Sequence, residues 1–139
     1  MEYTFIHNRL AVGGGPVEDV DSLPFTHIIT LRSNPVPEFQ SPRFEVLFNG
    51  VVDDKLPKSP AWFERSLEWA LPVLAKRLTK VYCHCWLGID RSPATAFAIL
   101  LAQGISEVDA ERMMRQVRPQ IRGTYFEDAK RAVKELGYV

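Results

Sequence analysis

Residues 81–102 limit what this chain can fold into more than any other stretch. Val81-Tyr82-Cys83 opens a short β-branched and aromatic run, the pattern of a strand driven into the interior. Ala94-Thr95-Ala96-Phe97-Ala98-Ile99-Leu100-Leu101-Ala102 is apolar nearly all round, the pattern of a buried helix. Between them lies a tight loop that opens with Cys85, bends at Gly88 and closes with Arg91. A strand feeding a loop that opens a helix makes an oxyanion cradle, because the first helical N–H groups lack partners and the helix dipole is positive there. The same field favours the thiolate of a loop cysteine, the nucleophilic form. Arg91 adds a planar fork that can grip two oxygens of a phosphoryl group. Thiolate, cradle and fork together predict hydrolysis of a phosphate ester through a phosphocysteine.

Packing alone accounts for Cys83, a strand residue beside an apolar run, but not for Cys85, which sits in a Gly-containing loop closed by an arginine. Cys83-His84-Cys85 lacks the usual metal-ligand spacing and no second cluster accompanies it, so neither a metal nor another cofactor is expected. At 139 residues, 46% apolar and 24% charged, the chain predicts one globular domain over 1–139. Seventeen basic and seventeen acidic residues cancel, so no global field draws it to nucleic acid or to an anionic membrane. A cysteine needed as thiolate suits a reducing compartment. With no secretory pattern at the N-terminus and no apolar run long enough to span a bilayer, the expectation is a soluble, cytoplasmic protein.

Taken in order, Tyr3–Ile6 and Arg9–Val12 predict two short strands, ended by Gly13-Gly14-Gly15-Pro16, read as a flexible turn. His27–Leu31 predicts a buried strand, and Phe44–Phe48 alternates as another. Asp53-Asp54-Lys55-Leu56-Pro57 is a polar loop before Ser59-Pro60, an N-cap and first helical position. Phe63, Leu67, Ala70, Leu71, Leu74 and Leu78 share one helical face, with a kink or break expected at Pro72. After Gly104, a C-cap, Ser106 and Asp109 open a helix whose apolar residues are Val108, Met113, Met114 and Val117. Arg112, Arg115, Arg118 and Arg122 are read as a solvated basic face. Thr124 with Glu127 predicts the cap of a last helix that buries Phe126, Ala129, Val133 and Leu136. The expected architecture is a three-layer α/β fold. A small, mostly parallel sheet is flanked by helices, with Cys85 at the carboxyl end of a central strand, where open α/β sheets bind ligands.

His84-Cys85, five residues, then Arg91-Ser92 resembles the signature of the cysteine-dependent protein phosphatases, and the short chain is most similar to their dual-specificity branch. The resemblance implies Cys85 as nucleophile, Arg91 as phosphate binder, and backbone N–H groups of Trp86, Leu87, Gly88, Ile89 and Asp90 around the phosphate. It further implies that Ser92 helps Cys85 depart and that His84 orients the loop. It implies a general acid in a loop some thirty positions upstream. Asp53 and Asp54 precede Cys85 by 32 and 31 residues, and Asp54, in an Asp-x-x-Pro arrangement with Pro57, is the expected donor.

Three positions depart from the common pattern: Asp90 stands where Gly or Ser is frequent, Leu87 where Ala is frequent, and Trp86 adds bulk at the mouth. Asp90 puts a carboxylate beside the bound dianion, as in myotubularin-type loops, which leaves it an alternative to Asp54 and Asp53 as the acid, although Trp86, Leu87 and Ile89 supply none of the lysines of lipid-directed loops. The expected substrate is a phosphorylated one, a phosphoprotein first. The alternatives are a module that binds phosphate without turnover, and a phosphatase for phosphoinositides, nucleotides or RNA 5′ phosphates.

Overall fold

The computed structural model describes residues 2–139. Five strands, β1 (Glu2–His7), β2 (Leu10–Gly14), β3 (His27–Thr30), β4 (Glu45–Phe48) and β5 (Val81–His84), form one sheet in the order β1-β2-β5-β3-β4. Only β1 and β2 pair antiparallel; β2 with β5, β5 with β3 and β3 with β4 run parallel. This is the small, mostly parallel α/β sheet expected, with the strand that leads to Cys85 at its centre.

The period-2 alternation of the strands sorts their residues between two cores. Val12, Ile29 and Cys83 face one cluster, and their neighbours Ala11, Ile28 and Tyr82 face the other. Four helices build the first: α1 (Pro60–Leu74), α2 (Arg91–Ala102), α3 (Glu107–Val117) and α4 (Phe126–Glu135). α2 is buried from Arg91 through Leu101, as its all-round apolarity requires. Each side chain such as Phe97 or Ile99 stabilises it by about 1.5–3 kcal/mol through burial, so the helix that carries Arg91 and Ser92 is a fixed support. The second face is thinner. Connections containing the 3-10 turns Val20–Ser22 and Pro37–Phe39 lay Leu23, Phe25, Val36, Phe39 and Phe44 over it, with Phe25 stacked on Tyr82 at 4.5 Å. No helix among the described residues is long and apolar enough to cross a membrane.

Several local expectations need correction. Gly13 and Gly14 do not form a turn but end β2, fully buried. α1 continues through Pro72 to Leu74, so no break occurs there. Leu78 lies beyond it, 87% exposed rather than on the apolar face. In α3 the buried positions are Ala110 and Met114, and Val108 and Val117 face solvent. The same stripe continues at the next four-residue step to Arg118, which is buried and not part of a solvated basic face. Thr124 does not cap α4; Tyr125 is the N-cap and supplies no side-chain bond. Ser59, Ser106 and the left-handed Gly104 act as expected: the serines accept from Trp62 N and Asp109 N, and Gly104 has φ 95°.

Candidate active site

β5 delivers Cys85 to the edge where the parallel strands end, and the loop after it is held by the end of β2. Cys85 N donates to Gly13 O at 3.1 Å, and Gly15 N donates to Trp86 O at 2.7 Å. The backbones approach so closely that a Cβ on Gly14 would lie 2.7 Å from Gly88 N and from Trp86 O. The glycine run is therefore the floor of the loop. Gly88 turns the loop with φ 70°, a conformation that glycine adopts without steric cost.

Around Cys85 the donors converge. Gly88 N and Ser92 N lie 3.3 and 3.4 Å from Sγ, and Ser92 Oγ lies 3.2 Å from it. These groups complement a thiolate and leave it facing the cavity. Ser92 Oγ is also within 3.2 Å of Gly13 O, so its single proton has two acceptors to choose between. Arg91 is anchored on one side, where Nη1 donates to Val51 O at 2.8 Å, while its Nε is buried without a hydrogen-bond partner. An unpaired buried guanidinium nitrogen is costly unless a ligand completes it. His84, fully buried, bonds Thr30 Oγ1 through Nε2 at 2.8 Å. Burial first, then the charges of Arg32 and Arg91, push its pKa down to about 3, so the imidazole is neutral at ordinary pH.

A cavity of about 130 Å³ lies over Cys85, walled by Trp86, Leu87, Ile89, Asp90 and Arg91 from the loop, by Arg122, and by Asp53. Asp54 is not among its lining residues. Its carboxylate accepts from Lys58 Nζ at 2.6 Å and from Leu56 N at 3.0 Å. Asp53 Oδ1 accepts from Tyr125 Oη at 2.7 Å and from Lys55 Nζ at 2.8 Å. Burial pushes the Asp53 carboxyl up, but the hydrogen bonds from Lys55 and Tyr125 outweigh it and hold the pKa below the ordinary value. Lys55 has its backbone in the left-handed region at φ 63°, pinned by Lys55 N donating to Tyr125 Oη at 3.0 Å.

Asp90 is not the bare charge beside the phosphate site that the sequence suggests. Its buried carboxylate pairs with Lys55 Nζ at 2.7 Å, has Arg122 at 3.8 Å, and accepts from Thr124 N at 3.4 Å. Lys55 thus ties the loop of Asp53 to the loop of Cys85.

Arg118, 1% exposed, does comparable work from below. It donates through Nε to Gly88 O at 2.8 Å, through Nη2 to Leu87 O at 3.3 Å and through Nη1 to Thr4 Oγ1 at 3.0 Å, and it pairs with Glu2 at 2.9 Å. Sequence reasoning missed Arg118, Lys55 and Tyr125. Arg118 had a signal, its place one helical step beyond Ala110 and Met114. Lys55 and Tyr125 had none, because they meet Asp53 only through the tertiary fold.

Several solved structures share this architecture across nearly their whole length. PTPMT1 in complex with PI(5)P is 22% identical, with 97% of this chain and 96% of that one covered and a TM-score of 0.80. Tk-PTP in its active form is 25% identical over 96% and 95%, with a TM-score of 0.77. The human tyrosine phosphatase-like serine/threonine/tyrosine-interacting protein is 22% identical over 98% and 97%, with a TM-score of 0.79. No protein-family model matches the sequence, and no curated protein matches it significantly. The fold is that of the small dual-specificity-type cysteine phosphatases.

Proposed function

We propose that the chain hydrolyses phosphate monoesters through a covalent phosphocysteine at Cys85. The observation that carries this reading is the convergence of Gly88 N, Ser92 N and Ser92 Oγ on Cys85 Sγ, beside an Arg91 whose Nε lacks a partner. The phosphatase neighbours support the same chemistry. In the first step Sγ attacks phosphorus and the bond from phosphorus to the ester oxygen breaks. Arg91 and the loop N–H groups bind the equatorial oxygens as charge develops there. The leaving oxygen takes a proton from a carboxylic acid; of the two carboxyls that line the cavity, Asp90 is buried and held by Lys55 and Thr124 N, and Asp53, the more accessible, is the donor in place of Asp54. In the second step water attacks phosphorus, the same carboxylate receives its proton, and the S–P bond breaks. The Ser92 hydroxyl, 3.2 Å from Sγ, then stabilises the departing thiolate.

His84, neutral and bonded to Thr30, orients the strand end rather than exchanging protons. The same machinery serves phosphoproteins, the substrates expected first from the sequence, and phosphorylated lipids. The likeness to PTPMT1, crystallised with PI(5)P, supports the second group. A turnover assay with para-nitrophenyl phosphate tests the proposal and separates it from binding without catalysis. Activity that survives EDTA and disappears in Cys85→Ser is the expected result. Undiminished activity in Cys85→Ser, or no turnover by the unaltered protein, contradicts it.

A further inference from the structure

A second cavity, of about 250 Å³, adjoins the one over Cys85 and shares Trp86 and Arg91 with it. That volume matches roughly eight water molecules at about 30 Å³ each, space for a phosphate together with part of the group that carries it. Its other lining residues are Arg32, Ser33 and Asn34, which follow β3 at the carboxyl edge of the sheet. The two cavities differ in charge. Asp53 and Asp90 line the first, whereas no carboxylate among the described residues lines the second.

Arg32 is held for binding. Leu31 N donates to His84 O at 2.9 Å and fixes the chain just before it. Its Cζ sits 5.1 Å from the centre of the Trp86 ring, and Nε donates to Asn34 O at 3.2 Å. No carboxylate pairs with Arg32 among the described residues, and both terminal nitrogens are left to accept a ligand. A guanidinium stacked on an indole, with one edge bonded and the fork open, is preorganised for two oxygens of a phosphate. Arg91 lines both cavities, so the anion held by Arg32 would sit beside the phosphate that Arg91 binds.

We infer that Arg32, with Ser33, Asn34 and Trp86, forms a second anion subsite, which selects substrates carrying another phosphate close to the ester that is cleaved. The inference rests on the phosphocysteine reading and names its substrate class: a small bisphosphorylated polyol, free or as a lipid headgroup. The shared wall favours a small carrier. One guanidinium and one indole separate the two cavities, whereas phosphates on two side chains of an extended peptide stand apart by about 3.3–3.6 Å per residue plus the reach of both side chains.

The test combines binding and turnover. With Cys85→Ser, which binds without turnover, calorimetry compares an inositol bisphosphate, an inositol monophosphate, a dioctanoyl phosphatidylinositol monophosphate and a doubly phosphorylated peptide. The bisphosphate should bind more tightly than the monophosphate by roughly ten- to a hundredfold, the span of a charged hydrogen-bonded contact. Adding Arg32→Ala should erase that preference, and Arg32→Lys should restore only part of it. The short-chain lipid separates a headgroup, whose diester supplies the second phosphate, from a free polyol phosphate. On the otherwise unaltered enzyme, Arg32→Ala should leave kcat/KM for para-nitrophenyl phosphate within about twofold, since that ester fills only the first site.

A bisphosphate preference that survives Arg32→Ala overturns the subsite. Equal losses for all esters reveal a structural role and overturn it as well. An Arg32-dependent preference confined to the peptide overturns the polyol assignment. Failure of para-nitrophenyl phosphate turnover in the unaltered protein is a different result. It would sink the phosphocysteine reading, while the binding comparison would still decide the subsite.

Discussion

Two adjacent aspartates, Asp53 and Asp54, have different surroundings, and the difference is the ground for proposing Asp53 as the acid. Asp54 is engaged by Lys58 and Leu56 N, and Asp53 stands at the cavity between Tyr125, Lys55 and the charge of Arg91. A general acid matters most when the leaving group is poor, since a stable anion departs unaided. Asp53→Asn should therefore slow phenyl phosphate by roughly a hundred- to ten-thousandfold and the nitrophenyl ester far less, with Asp54→Asn silent on both. The reverse pattern returns the acid to Asp54.

Lys55 gives this assignment a pH signature. Burial raises the Asp53 pKa, and Lys55 and Tyr125 lower it more strongly. Removing the lysine leaves the raising influence less opposed. The alkaline decline of kcat/KM, which reports the acid in the free enzyme, should then move to higher pH in Lys55→Met. A limb that stays in place or moves to lower pH would show that Lys55 does not hold Asp53.

At the scale of elements, the site is a loop clamped from several directions. The end of β2 lies beneath it, α2 closes it, and Arg118 reaches it from the end of α3. Arg118→Met would leave Leu87 O and Gly88 O without their buried donor. The expected cost is about 2–5 kcal/mol of stability, read as a lower urea midpoint, and phosphate affinity should fall as the loop loosens. Unchanged stability and affinity would mean that the loop holds itself. The core of this arrangement was legible in the sequence, because a buried strand, a glycine-bent loop and an apolar helix are local patterns. So was the placement of Cys85 and Arg91 at the two ends of that loop. The glycine run was misread because a close backbone approach leaves the same sequence mark as a turn. Asp53 and Asp54 could not be separated by spacing, since one residue of difference carries no information about which carboxylate faces inward.

For the whole molecule, the parallel sheet gathers segments distant in sequence at one edge. Gly13 and Gly14 end β2, Arg32 follows β3, Val51 follows β4 and Cys85 follows β5, so the proposed nucleophile, the floor and anchor of its loop and the proposed second subsite share one rim. Only this non-local pairing juxtaposes them, which is why Arg32 carried no signal in the chain. The balanced charge, seventeen basic against seventeen acidic residues, leaves these local fields to select the ligand.

The central claim is the covalent intermediate, and the most direct measurement is its capture. In Asp53→Asn the nitrophenyl ester still loads Cys85, since its leaving group needs little help, while the water step lacks its base. Rapid acid quenching followed by peptide mass spectrometry should find one phosphoryl group on the peptide bearing Cys85, and none in Cys85→Ser. A phosphoryl group on any other residue, or full single turnover with no phosphorylated peptide at any time, would contradict the account.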